Sequence, residues 1–175
     1  MDLKKIIAEI PDFPKPGILF RDIEPILADP EAMGVAIEWL KAVAKEVGAE
    51  KIAGFDARGF VFGAALAHEL KLPFIMLRKK GKLAGKTISI AYKLEYGEAV
   101  LEMSARWVHP GDRILLVDDL LATGGTSGAG VVLIERAGGK VAGLAYVIEI
   151  AGLAGRKALE GYPIHTLVTY DNPNE

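Results

Sequence analysis

Residues 114–126 restrict the possible folds of this chain more than any other stretch, since they predict a strand, a tight turn and a helix in direct succession. Residues 114–117 are all apolar and match the length of a short buried strand. Asp118 and Asp119 stand at the end of that strand, residues 122–126 form a small-residue turn, and a helical pattern follows to about Arg136. A strand that leads into a helix in this way is the unit of a parallel sheet covered by helices. The stretch therefore predicts an α/β fold.

The rest of the chain repeats this unit. Short apolar runs predict further strands, and longer segments with helical spacing predict helices, one of which begins at Asp29 followed by Pro30. The predicted strands cover residues 51–55, 73–77, 141–150 and 164–170, and the predicted helices cover residues 3–10, 30–48, 59–70, 126–136 and 153–159. We predict one domain over residues 1–175, built on an open, mostly parallel sheet with helices on both faces.

Two segments depart from this alternation. Residues 11–17 contain three prolines, which exclude regular structure over most of that stretch. Residues 87–93 and 98–103 alternate polar and apolar side chains and predict a β-hairpin. The helix over residues 59–70 is apolar nearly all round and is predicted to be buried.

The turn after Asp119 has the composition of an anion site. Ligands of open α/β sheets bind beyond the carboxyl ends of the strands, where a helix N-terminus offers free N–H groups and a positive dipole to a phosphate. Gly124 and Gly125 allow a ligand to approach the backbone closely, and Thr123 and Thr126 add hydroxyl groups. A phosphate cradle beside two carboxylates suits a phosphorylated sugar with free hydroxyls.

The sequence of this stretch allows two other interpretations. An apolar strand ending in Asp-Asp also occurs in P-loop nucleotidases, which need a second motif, G-x-x-x-x-G-K-[ST]. Gly85, Lys86 and Thr87 match the end of that motif, but Lys80 stands where its first glycine is required. A solvated strand end followed by an ordinary turn is the plainer alternative.

Composition narrows the class of protein. The chain of 175 residues has a net charge of −2, which gives no electrostatic basis for wrapping nucleic acid. It contains no cysteine, which excludes disulfides, thiol catalysis and thiolate zinc sites. No apolar run approaches the roughly 20 residues of a membrane span, and the first residues do not form a signal peptide. We therefore expect a cytoplasmic protein that binds neither nucleic acid nor membrane.

Four stretches carry a resemblance to a known family. Residues 117–126 resemble the phosphoribosyl-pyrophosphate signature of the type I phosphoribosyltransferases. Residues 13–23, residues 53–60, and residues 78–83 with 92–97 are similar, in this order, to the amino-terminal segment, the pyrophosphate loop and the mobile catalytic loop of that family. The resemblance runs from about Phe13 to Tyr170, and the four stretches together are similar to the adenine-specific branch of the family.

The resemblance implies an activity and a set of site residues. The implied enzyme transfers the 5-phosphoribosyl group from phosphoribosyl pyrophosphate to adenine, giving AMP and pyrophosphate, with Mg²⁺ as cofactor. The implied roles are ribose binding for Asp118 and Asp119; 5′-phosphate binding for Ala122, Thr123, Gly124, Gly125 and Thr126; pyrophosphate binding for Arg58, Arg78, Lys79 and Lys82; catalysis for Glu95, Tyr96 and Arg58; and adenine binding for Leu19, Phe20 and Arg21.

Further features follow from the same resemblance. Residues 1–30 would recognise the base through their main chain, and residues 79–103 would form a flexible hairpin lid. The bond between Asp56 and Ala57 would be a cis peptide. The protein would be a homodimer in which some of the lid cations act across the interface. Mg²⁺ would be held mainly by substrate oxygens and water, without a dedicated protein site.

Two alternative functions stay open on the sequence alone. One is a regulator that senses phosphoribosyl pyrophosphate without catalysis, although such regulators usually add a DNA-binding module. The other is a related transferase that acts on an oxopurine. The oxopurine members characteristically read their base from a carboxy-terminal hood, whereas only five residues follow Tyr170 here.

Overall fold

A seven-stranded sheet organises the computed structural model, which describes residues 1–94 and 97–174. In chain order the strands are β1 (Ala8–Pro11), β2 (Leu19–Asp22), β3 (Lys51–Phe55), β4 (Phe74–Lys79), β5 (Ile88–Lys93), β6 (Glu98–Met103), β7 (Arg113–Leu121), β8 (Lys140–Ile150) and β9 (Ile164–Tyr170). The α-helices are α1 (Glu24–Ala28), α2 (Pro30–Glu46), α3 (Arg58–Leu70), α4 (Gly125–Arg136) and α5 (Gly155–Ala158). Single 3₁₀ turns occur at Leu3–Lys5, Ala105–Trp107 and Ala151–Leu153.

The strand order of the large sheet is β5-β6-β4-β3-β7-β8-β9. Strands β4, β3, β7, β8 and β9 run parallel, while β6 pairs antiparallel with both β4 and β5. Strands β1 and β2 form a separate antiparallel pair. The predicted open, mostly parallel α/β sheet is confirmed, and the predicted hairpin is β5 and β6, which extend one edge of it.

Helices cover both faces of the sheet because alternate side chains of its central strands point in opposite directions. Leu115 and Val117 of β7 lie in a core with buried residues of α2 and α3. Ile114 and Leu116 of the same strand lie in a second core with buried residues of α4. The continuous apolar run of β7 is therefore used on both of its faces.

The connections reverse direction between β3 and β7, which are neighbours in the sheet. The chain leaves β3 through α3 and continues to β4 on one side, whereas it leaves β7 through α4 and continues to β8 on the other. Such a reversal opens a crevice at the carboxyl ends of the two strands. The sequence that follows β3 and the sequence that follows β7 therefore meet at one place.

Strand β7 is longer than predicted. Asp118 and Asp119 lie within it and not at its end, because β7 remains paired with β8 as far as Leu121, which lies opposite Glu149. Its pairing with β3 stops at Val117, opposite Gly54. The two carboxylates are tolerated inside a strand because that strand has only one neighbour at their level.

The predictions for three helical segments were wrong in part. Residues 3–10 form one 3₁₀ turn followed by β1, because pairing with β2 outweighs the weak helical preference of so short a segment. Residues 153–159 are not one helix, since Ala154 has a left-handed φ of 58° that separates a 3₁₀ turn from α5. Helix α3 is not buried all round, and Val61 on its outer face is 41% exposed. Every helix in the described part of the chain falls short of the length and hydrophobicity needed to cross a bilayer.

Candidate active site

The crevice between β3 and β7 contains a cavity of about 260 Å³. It is bordered by residues that the sequence assigned to three different parts of one substrate. The lining residues are Asp56, Ala57, Arg58, Lys79, Tyr92, Leu101, Asp118, Asp119, Leu120 and Thr126. The fold therefore brings together candidates for binding ribose, pyrophosphate and 5′-phosphate from segments up to 70 residues apart in the chain, as between Asp56 and Thr126.

Arg58 connects the β3 side of this cavity to its β7 side. It is the first residue of α3, and its Nε lies 2.8 Å from Oδ2 of Asp119. Asp119 is almost fully buried, whereas the Arg58 side chain is 41% exposed, so the guanidinium extends from the carboxylate into the cavity. This ion pair places the guanidinium of Arg58 beside the carboxylates of Asp118 and Asp119 while the arginine side chain stays partly exposed.

Asp118 has a different environment from its neighbour. Its Oδ1 accepts a hydrogen bond of 2.9 Å from the backbone N–H of Asp119. Burial, followed by the negative charge of Asp119, raises the pKa of Asp118 well above its usual range. The two adjacent carboxyl groups therefore have different surroundings, since Asp119 is paired with Arg58 and Asp118 accepts a hydrogen bond from the backbone.

Gly59 is required by the packing of this corner. A Cβ atom at Gly59 would lie 2.7 Å from Oδ1 of Asp118 and 2.9 Å from the carbonyl oxygen of Val117. The first turn of α3 can therefore approach the acidic end of β7 only because residue 59 has no side chain. The glycine that follows Arg58 sets the distance between the arginine and the carboxylates.

The loop after β3 has the cis peptide that the resemblance implies, between Asp56 and Ala57. Oδ2 of Asp56 accepts a hydrogen bond of 3.1 Å from Nε of Arg78. Nη1 of Arg78 also donates to the carbonyl oxygen of Lys82, at 3.4 Å. Arg78 thus reaches the cavity through Asp56, whereas Lys79 lines it directly. The side chain of Lys82 is exposed on the segment that follows β4.

The turn from β7 to α4 has the geometry of a phosphate loop. Gly124 has a φ of 84°, which favours glycine, and it caps α4 without a side-chain hydrogen bond. Helix α4 begins at Gly125, so its first N–H groups have no partner within the helix. Oγ1 of Thr126 lies 3.2 Å from the hydroxyl oxygen of Tyr92, which connects the loop to the lid hairpin. Ala122 and Thr123 complete the turn, with Thr123 exposed.

A second cavity, of about 290 Å³, adjoins the first one. Leu19, Phe20 and Arg21 line it, in agreement with the segment that the resemblance assigns to the base. Leu120 borders both cavities, so they are separated by little more than one side chain. The other lining residues are Gly17, Ile18, Ala122, Ile150, Leu153, Pro173 and Asn174.

The side chains of β2 fix the position of this second cavity. Arg21 is buried, its Nη1 lies 2.8 Å from Oε1 of Glu9, and its guanidinium stacks 4.1 Å from the ring centre of Tyr170. Phe20 lies between an edge-on contact with Phe13, at 5.1 Å, and the guanidinium of Arg58, at 5.0 Å. The Arg21 side chain is thus used to hold the segment in place, which leaves its main chain as the part able to face a ligand.

Some candidate site residues lie outside the described part of the chain, and the structure adds others to the site. Glu95 and Tyr96, assigned to catalysis, lie outside the described residues. No role of their own was predicted for Leu120, for the chain around Pro173 or for Tyr92, although Tyr92 falls within the stretch 92–97 that resembles the catalytic loop. Tyr92 had a usable signal, because it falls on the same inward-facing positions of β5 as Ile88 and Ile90.

The carboxyl groups around the cavity are mostly engaged by cations. Asp56 pairs with Arg78, and Asp119 pairs with Arg58. Within residues 1–94 and 97–174, no group of three or more His, Asp or Glu side chains is arranged to hold a metal ion. A divalent cation at this site would therefore need most of its oxygen ligands from a substrate and from water.

Comparisons with known proteins agree with this geometry. A family model for the phosphoribosyl transferase domain matches residues 24–173. A Synechococcus protein named adenine phosphoribosyltransferase is 50% identical over 171 residues, which cover 98% of this chain and 100% of the relative. The crystal structure of adenine phosphoribosyltransferase from Thermoanaerobacter pseudethanolicus matches with a TM-score of 0.93 and 46% identity, over 96% of this chain and 98% of that one. The Saccharomyces cerevisiae enzyme, complexed with D-2,5-dideoxy-2,5-imino-altritol 1,6-bisphosphate and adenine, matches with a TM-score of 0.90 and 34% identity, over 94% and 96% of the two chains.

Proposed function

The chain belongs to the phosphoribosyl transferase family and converts adenine and phosphoribosyl pyrophosphate to AMP and pyrophosphate, and we propose that the two adjoining cavities perform this transfer. One observation carries the proposal. The carboxylates, Arg58 and the start of α4 border one cavity, and Leu120 borders both that cavity and a second, apolar one lined by the segment that we assign to the base. This arrangement supports a sugar phosphate in the first cavity and a purine in the second.

The reaction demands a site that stabilises separated charge. As the bond between C1 and pyrophosphate breaks, positive charge develops on the ribose and negative charge on the leaving group. Groups that are already oriented before the reaction stabilise such charges most effectively. We assign Asp118 and Asp119 to the ribose hydroxyls, where their carboxyl oxygens can accept hydrogen bonds and the ionised group can stabilise the sugar cation through space.

Arg58 is assigned to the leaving pyrophosphate. Its ion pair with Asp119 engages Nε, and the remaining N–H groups of the guanidinium are the ones that we assign to the anion. Lys79 lines the same cavity, and Arg78 holds Asp56 next to the cis peptide. Lys82, on the exposed segment after β4, supplies a further cation when the lid closes.

The 5′-phosphate is assigned to the turn formed by Ala122, Thr123, Gly124, Gly125 and Thr126. The free N–H groups at the start of α4 and the positive end of its dipole favour a dianion at this position. The Thr126 hydroxyl borders the cavity and adds a donor.

Adenine is assigned to the second cavity. Ile18, Leu19 and Phe20 provide apolar and aromatic surface for a flat base, and the main chain of Leu19 and Arg21 can read its edge. Leu120 lies between the two cavities, where the purine N9 must meet C1 of the sugar. The base would then attack from the side opposite to the pyrophosphate.

The lid and the cofactor complete the proposal. We assign Glu95 to proton movement at the purine and Tyr96 to the closed lid over residues 79–103, which would exclude water from the activated sugar. Because Asp119 and Asp56 are paired with Arg58 and Arg78, Mg²⁺ would be held mainly by the substrate and water, and it would neutralise part of the charge on the leaving group. The family resemblance supports a homodimer. The absence of cysteine agrees with a reducing, cytoplasmic compartment.

A substrate screen tests the function. The protein is mixed with Mg²⁺, phosphoribosyl pyrophosphate and one of adenine, guanine, hypoxanthine or xanthine, and nucleotide formation is followed. We expect turnover with adenine, and we expect Asp119→Asn to lower kcat/KM by roughly 30- to 1000-fold, which corresponds to about 2–4 kcal/mol. Glu46→Gln, an exposed change of the same kind at the end of α2, should leave the rate unchanged.

Two results would contradict the proposal. Turnover confined to the oxopurines would move the specificity to another branch of the family. Saturable binding of phosphoribosyl pyrophosphate without turnover for any base would favour the regulator.

A further inference from the structure

The segment after β8 packs directly against the phosphate loop. A Cβ atom at Gly155 would collide with the carbonyl oxygen of Ala122 and would lie 2.7 Å from Cδ1 of Leu121. A Cβ atom at Gly124 would lie 2.8 Å from the carbonyl oxygen of Gly155 and 3.0 Å from Cβ of Ala158. The two backbones therefore touch at a pair of glycines, with no side chain between them. Any displacement of α5 must be transmitted to residues 122–124.

An ion pair between the buried carboxylate of Glu149 and the half-exposed guanidinium of Arg156 determines where α5 lies. Nε of Arg156 lies 2.7 Å from Oε1 of Glu149, and Nη2 of Arg156 donates to Oε2 of Glu149 at 2.8 Å. The hydroxyl of Thr166 donates to the same Oε2 at 3.0 Å, and Nη1 of Arg156 donates to the carbonyl oxygen of Ile164 at 3.3 Å. This network fixes α5 to the ends of both β8 and β9.

The pair is anchored by a buried carboxylate, although the Arg156 side chain is half exposed. Glu149 is only 4% exposed and lies opposite Leu121, the last residue of β7. Although burial opposes its ionisation, the hydrogen bonds from Arg156 and Thr166 lower the pKa of Glu149. Two parallel hydrogen bonds between a guanidinium and a carboxylate fix orientation as well as distance. Removing one partner would leave the other poorly satisfied.

We propose that Glu149 and Arg156 are positioning residues that hold the 5′-phosphate loop in its binding conformation through the contact between Gly155 and Gly124. The loop needs this support because Gly124 caps α4 without any side-chain hydrogen bond. Displacing a binding group by about 1 Å is enough to impair a preorganised site. This inference rests on the proposed function, since it concerns how one of its subsites is kept in shape.

The effect should be specific to ligands that carry the 5′-phosphate. Ribose 5-phosphate needs the loop, whereas pyrophosphate is assigned to Arg58 and Lys79 on the other side of the cavity. We expect Arg156→Met to weaken the binding of ribose 5-phosphate by about tenfold and to leave the binding of pyrophosphate within about twofold, both measured by calorimetry with Mg²⁺ present. The KM for phosphoribosyl pyrophosphate should rise.

Three companion variants make the test decisive. Arg156→Lys keeps the charge without the paired geometry and should recover only part of the affinity. The double variant Glu149→Gln with Arg156→Met removes the buried unpaired charge, so it should fold at least as stably as the single variant yet bind ribose 5-phosphate just as weakly. Arg136→Met, an exposed change at the end of α4, should behave as wild type.

The proposal is overturned if Arg156→Met weakens both ligands equally, because that result indicates general loosening, or if it weakens neither. If the proposed function is itself wrong, the wild-type protein will bind neither ribose 5-phosphate nor pyrophosphate. That result differs from both outcomes that overturn the positioning role.

Discussion

At the scale of single residues, the site depends on giving two adjacent carboxyl groups different environments. Asp119 lies 2.8 Å from Nε of Arg58, and Asp118 is half-buried beside it and accepts a hydrogen bond from the backbone N–H of Asp119. A carboxyl group in a cavity with a strongly shifted pKa is a common feature of active sites, and Asp118 is such a group. The position of Gly59 explains this difference. Because residue 59 has no side chain, Arg58 reaches the carboxylate of Asp119 while the backbone of α3 lies against Asp118.

The raised pKa of Asp118 leads to a prediction about pH. Burial is the larger cause and the charge of Asp119 the next, so Asp119→Asn should lower the pKa of Asp118 toward its ordinary value. Carbon-13 NMR of the aspartate carboxyl groups, recorded through a pH titration of wild type and variant, measures the change directly. An unchanged midpoint for Asp118 would show that Asp119 does not contribute.

The same shift affects stability in a defined direction. A carboxyl group with a raised pKa binds its proton more tightly in the folded protein than in the unfolded one. Its contribution to the free energy of unfolding therefore decreases as the pH rises from the ordinary aspartate range, near 3.8, through the folded pKa. In Asp119→Asn this decrease should be smaller and should end at a lower pH.

At the scale of elements, the sequence predicted those parts whose signals are local. The apolar run before Asp118 and the glycines after it predicted β7 and α4, since a buried strand and a helix start each leave a pattern within a few residues. Strand β1 was predicted as helix because its partner β2 lies eleven residues further along, beyond the reach of local patterns. The same reason explains why the contact between Tyr92 and Thr126, which lie 34 residues apart, was not predicted, although the alternation along β5 already placed Tyr92 on the inward face.

The contact between Tyr92 and Thr126 supports a prediction about the lid hairpin. Tyr92→Phe keeps the half-buried ring but removes the hydroxyl that joins β5 to the phosphate loop. A hydrogen bond of this kind contributes about 0.5–1.5 kcal/mol, so we expect the KM for phosphoribosyl pyrophosphate to rise about two- to twelvefold. Steady-state kinetics at saturating adenine measure the change.

Tyr162→Phe is the matched control for this variant. Tyr162 also uses its hydroxyl in a hydrogen bond, at 2.6 Å to Glu135, on the outer part of the fold. An equal rise in KM for both variants would mean that the loss of any tyrosine hydroxyl loosens the protein. In that case Tyr92 would have no particular role in coupling the hairpin to the loop.

At the scale of the whole molecule, the reversal of strand order between β3 and β7 places the two cavities that we assign to the substrates side by side. The base-recognition segment before β3 and the turn after β8 both fold over this same end of the sheet, as their shared lining of the second cavity shows. Lys82, on the segment after β4, is exposed. We propose that a second subunit meets the site from the side of β4 and the β5–β6 hairpin.

The proposed homodimer leads to the last prediction. Light scattering should give twice the chain mass of 18.7 kDa. Lys79 lines the same cavity as Asp119 of its own chain, so it should serve that chain's site, whereas Arg78 and Lys82 are the remaining candidates for action across the interface. When Lys79→Met and Asp119→Asn subunits are mixed, unfolded and refolded together, every site in a mixed dimer lacks one of the two groups, and activity should not return.

If Arg78 or Lys82 acts on the partner's site, the same mixing with Arg78→Met or Lys82→Met rebuilds one intact site in each mixed dimer and restores activity. Recovery with Lys79→Met would place that lysine in the neighbouring site instead, and a mass of one chain with full activity would rule out every assignment across subunits.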